Sequence, residues 1–158
     1  MYSVAMGDEK PIDDARITLF GHLVETCALL THELDRELMA ETDLPLVWYG
    51  VLLHLGRVPG GQRPMSELVN ATAFTSGGVT RLVDRMEQAG LVERRPCPHD
   101  RRVTYVGLTQ SGREALAVAT LVHVRGIQAR VVDALAVDEL LQFDRSLKVV
   151  LEFAGKLV

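Results

Sequence analysis

The stretch TSGGVTRLVDRMEQAGLVERRPCPHDRRVTYVGLTQSGR, residues 75–113, decides the fold. Thr75 suits the N-cap of a helix that runs to about Gln88. Val79, Leu82, Val83 and Met86 recur at spacings of three or four and make its inner stripe. Ser76, Gly77, Thr80, Arg81, Asp84 and Arg85 fall on the other faces. Gly90 ends the helix, because the residue just past a helix turns left-handed and glycine does so without a Cβ clash. Two short strands follow, LVERR (91–95) and VTYVGL (103–108), joined by the loop PCPHDRR (96–102). The two prolines of that loop keep it out of a ladder. Thr109 then caps a long helix over about 110–134.

Working outward, Ser66 caps a short helix over 66–72, one tight connection before the helix at 75. Residues 45–56 open on Pro45 and are apolar nearly all round, which predicts a buried helix ending at Gly56 before the loop PGG (59–61). Residues 13–40 read as one long helix striped by Leu19, Leu23, Cys27, Leu30, Leu34 and Leu38, with Phe20 and Val24 widening the stripe. A last helix opens at Val137 or Asp138 and runs to about Lys156, with Leu140, Leu141, Leu147, Val150, Leu151 and Phe153 apolar. The fold class is therefore mainly α with a small β-hairpin wing. Residues 45–109 form the compact winged lobe of a single 1–158 domain, flanked by helices at 13–40 and 110–156 whose apolar stripes a partner subunit would bury.

Composition narrows the function. With 47% hydrophobic and 24% charged residues the chain is globular, and 5% aromatics are too few for a single-strand stacking platform. The start, MYSVAMGDEKP, is neither a signal nor a transit peptide, and no apolar run approaches the roughly 18 residues of a membrane span, so a cytoplasmic chain with no membrane partner is expected. The net charge of -4 is unevenly spread. Residues 1–44 carry ten acidic against three basic side chains, whereas 45–102 carry eight arginines against five acids. That asymmetry suits a molecule presenting one basic face to phosphate. Cys27 and Cys97 have no CxxC spacing and make neither a zinc site nor a disulfide framework. No nucleophile elbow, P-loop, HExxH or dinucleotide fingerprint occurs, so the chain reads as no enzyme and needs no cofactor or metal.

A short helix, a tight turn and a second helix ending in glycine is the layout of a helix-turn-helix, whose second helix enters the major groove of double-stranded DNA. Ser76 and Thr80 are hydroxyl donors, and Arg81 reaches a guanine edge or a phosphate. Gly77 and Gly78 each cost roughly 1 kcal/mol in helix propensity. They either admit close approach of the backbone to DNA or are fraying residues of a first turn. His99, Asp100, Arg101 and Arg102 occupy the tip of the hairpin loop, where arginines suit a narrow minor groove. Asp100 cannot attract DNA; its place is beside an arginine whose guanidinium it orients.

These motifs together resemble the MarR family of transcriptional regulators: TRLVDR in the second helix, AGLVERR leading into the wing, Asp-x-Arg at Asp100 and Arg102, and LTxxGR opening the next helix, with LPLVWYGVLLHL and MSELVNAT upstream. The resemblance covers about 13–155. It implies a homodimer of intertwined terminal helices, usually a repressor, on a pseudo-palindromic operator whose half-sites lie roughly 34–36 Å apart. It also implies that a small, often aromatic, effector or an oxidant releases the DNA. Carried over, Thr75, Ser76, Gly77, Thr80, Arg81 and Arg85 serve the major groove and Arg101 and Arg102 the wing.

For an effector pocket the candidates are His22, Trp48, Tyr49 and His54; Trp48 and Tyr49 are adjacent, so one faces the core while the other faces a cleft. The pairs His22–Glu25 and His32–Asp35 have metal-like spacing but lack further ligands and read as surface pairs. Cys27 departs from the family's oxidant-sensing pattern, since it lies towards the middle of its helix and Leu46 stands where a tyrosine is expected. A mid-stripe cysteine is usually an inert small hydrophobe. Cys97 reads as an exposed loop cysteine beside arginines. The competing function is a winged-helix docking module without DNA, which has no need of Asp100, Arg101 and Arg102 together with Thr80 and Arg81.

Overall fold

The computed structural model describes residues 11–71, 76–97, 100 and 102–155. Two compact units divide the chain, Met1–Glu33 and Leu34–Val158. Helix α1 (Ala15–Thr42) begins in the first unit and ends in the second. Asp43, with φ 53°, takes the left-handed turn that stops it. In the first unit the stripe of Leu19, Phe20, Leu23 and Val24 is exposed.

The second unit holds the core. Helix α2 (Leu46–Gly56) buries Tyr49, Val51, Leu52 and Leu55, as its all-round apolar pattern requires. Pro45 stands just ahead of α2 and caps nothing with its side chain; Asp35 does that work, its Oδ1 accepting the Leu46 N–H at 2.7 Å. A short strand absent from the sequence reading, β1 (Gln62–Pro64), leads into α3 (Met65–Ala71). Helix α4 (Ser76–Gln88) follows, then β2 (Val92–Pro96) and β3 (Thr104–Leu108). Three antiparallel strands lie in the order β1-β3-β2, with Arg63 opposite Val106 and Arg94 also opposite Val106 on the other side. β1 escapes sequence patterning because three residues ending in proline show neither alternation nor β-branching.

Pro96 corrects the expectation that both loop prolines stay out of the ladder. It pairs with Thr104 as the last residue of β2, and Cys97 N–H adds a bond to Val103 O at 2.9 Å. Because β2 is an edge strand, the N–H that proline lacks is not missed. Gly90 has φ 73°, the left-handed stop its position predicts.

Helix α5 (Gln110–Ile127) starts as the sequence requires, with Thr109 Oγ1 accepting from Gly112 N at 3.0 Å. It ends sooner than the expected 134, in a π turn over Gln128–Val132 closed by Asp133 N–H to Gln128 O at 2.9 Å. Helix α6 (Val137–Gly155) is exposed except at half-buried Leu140, with Leu151 and Phe153 among its exposed residues. By length and composition Gln110–Val132 would suffice to cross a membrane, a property that reading uninterrupted apolar runs did not suggest. Here it buries Ala119, Val122 and Gly126, and its Arg130 pairs with Glu37 at 2.7 Å.

Candidate nucleic-acid interface

Helix α4 has three chemically different faces, because a 3.6-residue period separates side chains one or two positions apart. Val79, Leu82, Val83 and Met86 are buried and fix the helix on the core. Gly77, Arg81, Arg85 and Gln88, four or three apart, lie in solvent. Arg81 and Arg85 have no ion pair among the described residues. Asp84 and Glu87 make the third face, on the side of β2, with Thr80 above them.

The wing stands beside this helix. Asp100 Oδ1 accepts from Arg102 N–H at 3.0 Å and Nε at 3.1 Å, and its Oδ2 from Nη2 at 3.1 Å. The Arg102 side chain bonded to it, and then the Arg102 backbone N–H, hold the Asp100 carboxyl below its usual pKa, while the same carboxylate raises that of Arg102. Arg102 nonetheless stays 91% exposed, so the pair aims the guanidinium outward without burying it. An open cleft of about 360 Å³ separates α4 from the wing and is lined by Met65, Ser66, Thr80, Arg94, Arg102 and Thr104 among others.

Residues 42–103 match the MarR family. The HTH-type transcriptional regulator PecS of Dickeya dadantii is 31% identical over 108 residues, which are 66% of this chain and 64% of PecS. The crystal structure of AbsC, a MarR family transcriptional regulator from Streptomyces coelicolor, is similar with a TM-score of 0.84 at 28% identity, over 94% of this chain and 99% of AbsC. That of Sco3205, a MarR family transcriptional regulator from the same organism in complex with DNA, gives 0.80 at 29% identity, over 87% and 89% of the two chains. The chain carries a MarR-family segment over residues 42–103 and is similar along most of its length to solved MarR family regulators. It spans about a third to two thirds of the length of the curated relatives it matches.

The MarR match runs from the end of α1 through the wing, the part that brings most of the expected DNA-contacting residues together. Gly77, Arg81 and Arg85 share one solvent face, Thr80 borders the cleft, and Arg102 lies across that cleft with Asp100 behind it. Ser76 opens α4, while Thr75, His99 and Arg101 lie outside the described residues. The basic segment is not one uniform face, however. Arg63 pairs with Glu67, Arg94 with Asp84 and Glu87, and Arg95 with Glu93, so formal charge overstates what is free for phosphate.

Three of the effector candidates, Trp48, Tyr49 and His54, lie on α2 in the second unit. Tyr49 is core, its ring tilted against that of His123 at 4.6 Å, whereas Trp48 and His54 are half-buried on the same helix. His22 is exposed and belongs to the first unit. Cys27 is exposed, off the buried position its stripe suggested, and Cys97 is half-buried. Among the described residues no three His, Cys, Asp or Glu side chains gather as a metal site.

Sequence reasoning missed Arg94 and His123. The first had a readable signal: Thr80, Asp84 and Glu87 share a helix face at spacings of four and three, and acids on a helix that is to meet DNA must look away from it. His123 had none, since one histidine in an apolar helix does not reveal what it packs on.

Proposed function

We propose that the chain is a transcriptional regulator that binds double-stranded DNA sequence-selectively, as a cytoplasmic homodimer that represses from a pseudo-palindromic operator. The observation that carries this reading is the solvent face of α4, where Arg81 and Arg85 have no acid partner among the described residues, beside a wing arginine held outward by Asp100. A guanidinium without a protein partner is the group that reads a guanine edge or neutralises a phosphate. The structure of Sco3205 in complex with DNA supports the same use of this fold. In this reading Thr75, Ser76, Gly77, Thr80, Arg81 and Arg85 meet the major groove, Arg101 and Arg102 the minor groove, and 45–109 is the DNA-binding lobe. The segments 13–40 and 110–156 carry the dimer, since many of their apolar residues, Leu19, Phe20, Leu121 and Leu151 among them, lie exposed in a single chain. A small aromatic effector is the proposed release signal, with Trp48 and His54, half-buried on α2, as its candidate contacts.

Fluorescence anisotropy on a duplex from the region upstream of the gene, against a scrambled duplex at two salt concentrations, tests this. Selective binding that weakens steeply with salt is expected, because phosphate contacts release counterions. No selective binding, even at low salt, would point to an operator elsewhere or to the docking module, and a genome-wide DNA selection separates the two.

A further inference from the structure

We propose that Arg94 contacts no DNA: it is a positioning residue, a strut that fixes the angle between α4 and the wing and so sets selectivity. This rests on the DNA-binding reading above. Arg94 sits in the middle of β2, and its side chain is only 25% exposed. Both terminal nitrogens are already engaged on α4. Nη1 meets Glu87 Oε2 at 2.5 Å, and Nη2 meets Asp84 Oδ1 at 2.7 Å and the Thr80 carbonyl at 3.4 Å. Glu87 closes the clamp from its other oxygen, which accepts the Arg94 backbone N–H at 3.0 Å. One guanidinium therefore bridges two turns of a helix to one strand, a geometry its planar fork permits and an ammonium does not.

The arrangement also explains two carboxylates on a helix proposed to meet DNA. Asp84 and Glu87 turn to Arg94, on the flank of α4 that borders the face of Arg81 and Arg85. Their charge is cancelled at the base of the cleft between α4 and the wing, a cleft to which Arg94 contributes a wall. The strand that Arg94 anchors runs directly into the loop bearing Asp100 and Arg102. Reading a site with helix and wing at once requires a fixed angle between them, and an angle left loose must be fixed at the moment of binding.

A strut and a phosphate ligand predict opposite salt behaviour. Loss of a phosphate contact lowers the salt slope by about one and weakens all duplexes alike. Loss of a strut leaves the slope unchanged and weakens the selected duplex most. The experiment compares Arg94→Gln, Arg94→Lys and the double variant Asp84→Asn/Glu87→Gln with the natural protein. The probes are a duplex the natural protein selects from a random-sequence pool and a scrambled control, titrated at several salt concentrations. Circular dichroism confirms folding, and amide hydrogen exchange is followed on α4 and β2 in the free protein. We expect about a tenfold loss for Arg94→Gln on the selected duplex, little loss on the control, an unchanged slope, and faster exchange confined to α4 and β2. Lysine restores only part of this. The double variant loses selectivity although it has gained positive charge, an outcome that charge alone cannot produce. A lower slope with equal losses on both duplexes would overturn the proposal, and so would unchanged exchange. If the natural protein selects no duplex, the DNA reading fails, and the exchange data still decide whether the strut exists.

Discussion

Arg94 and Arg102 carry the same charge on the same hairpin, yet their surroundings assign them different work. Arg102 spends part of its guanidinium on one exposed carboxylate and keeps the rest outward; Arg94 spends all of its terminal nitrogens on α4. We therefore expect Arg102→Ala to weaken duplex binding strongly while size-exclusion elution stays that of the natural protein; normal affinity would take the wing out of the mechanism. Arg81→Ala is expected to cost about 1–3 kcal/mol on the selected duplex and far less on a scrambled one if it reads a base. An equal loss on both assigns Arg81 to phosphate. His123 gives a different residue-scale expectation. Burial against α2 pushes its pKa below the usual 6.5, so the fold favours the neutral ring, and its Nδ1 has no partner among the described residues. The unfolded chain takes up that proton near 6.5 and the folded chain only at lower pH, so stability is full above 6.5 and erodes as pH falls below it. Melting temperatures followed from pH 7.5 to about 5.5 should fall less in His123→Phe than in the natural protein; parallel curves would mean that His123 titrates normally. The sequence showed Asp100 beside Arg102, because a partner two residues away is visible in one line of text. It could not show Arg94 against Glu87 or His123 against Tyr49, which only the packing of separate elements brings together.

The junction between the hairpin and α5 is where elements depend on single atoms. Thr109 caps α5 through Gly112 N–H, and its hydroxyl also donates to the carbonyls of Gly90 and Leu91. A Cβ added at Gly112 would stand 2.0 Å from Leu91 O, which is backbone and itself accepts the Thr109 N–H at 3.2 Å. Nothing there yields as a flexible side chain would. Gly112→Ala should therefore destabilise by about 3 kcal/mol or more in a denaturant titration. Thr109→Ala should cost about 1 kcal/mol, the ordinary worth of an N-cap. A milder effect from Gly112 than from Thr109 would show that the junction can open. The run LTQSGR made the cap legible beforehand, since a threonine before a helical period is a start signal. The reason for the glycine was not legible, because the clash comes from Leu91, distant in sequence and brought alongside by the pairing of β2 with β3. The same limit explains the ends of the long helices. The apolar period continues past Ile127, but Arg130 reaches back to the Gly126 carbonyl and across to Glu37, and the backbone winds through a π turn there.

At the scale of the whole molecule, the exposed apolar surface poses the last question. Leu121, Val150, Leu151 and Phe153 are more than half exposed, and α6 has no buried residue at all. A helix with a striped apolar face and nothing to bury it against gains little from folding alone, since most helical stability comes from packing that face. A second copy, as proposed above, would supply the missing surface at no cost in new sequence, and a two-fold arrangement would match the proposed palindromic site. Light scattering should then give twice the 17.4 kDa chain mass. Leu147→Glu with Leu151→Glu places two charges one turn apart on α6 and should halve that mass. The DNA consequence follows from linkage between half-sites. Two lobes held together bind the second half-site at a high effective concentration, so losing the partner should weaken operator binding by about 10²–10⁴-fold. Binding to a single half-site duplex should hardly change, because α4 and the wing are untouched. A variant that stays dimeric would move the interface away from α6. A variant that becomes monomeric and still binds the full operator as tightly would show that one lobe carries all the recognition, and that dimerisation serves something other than the DNA.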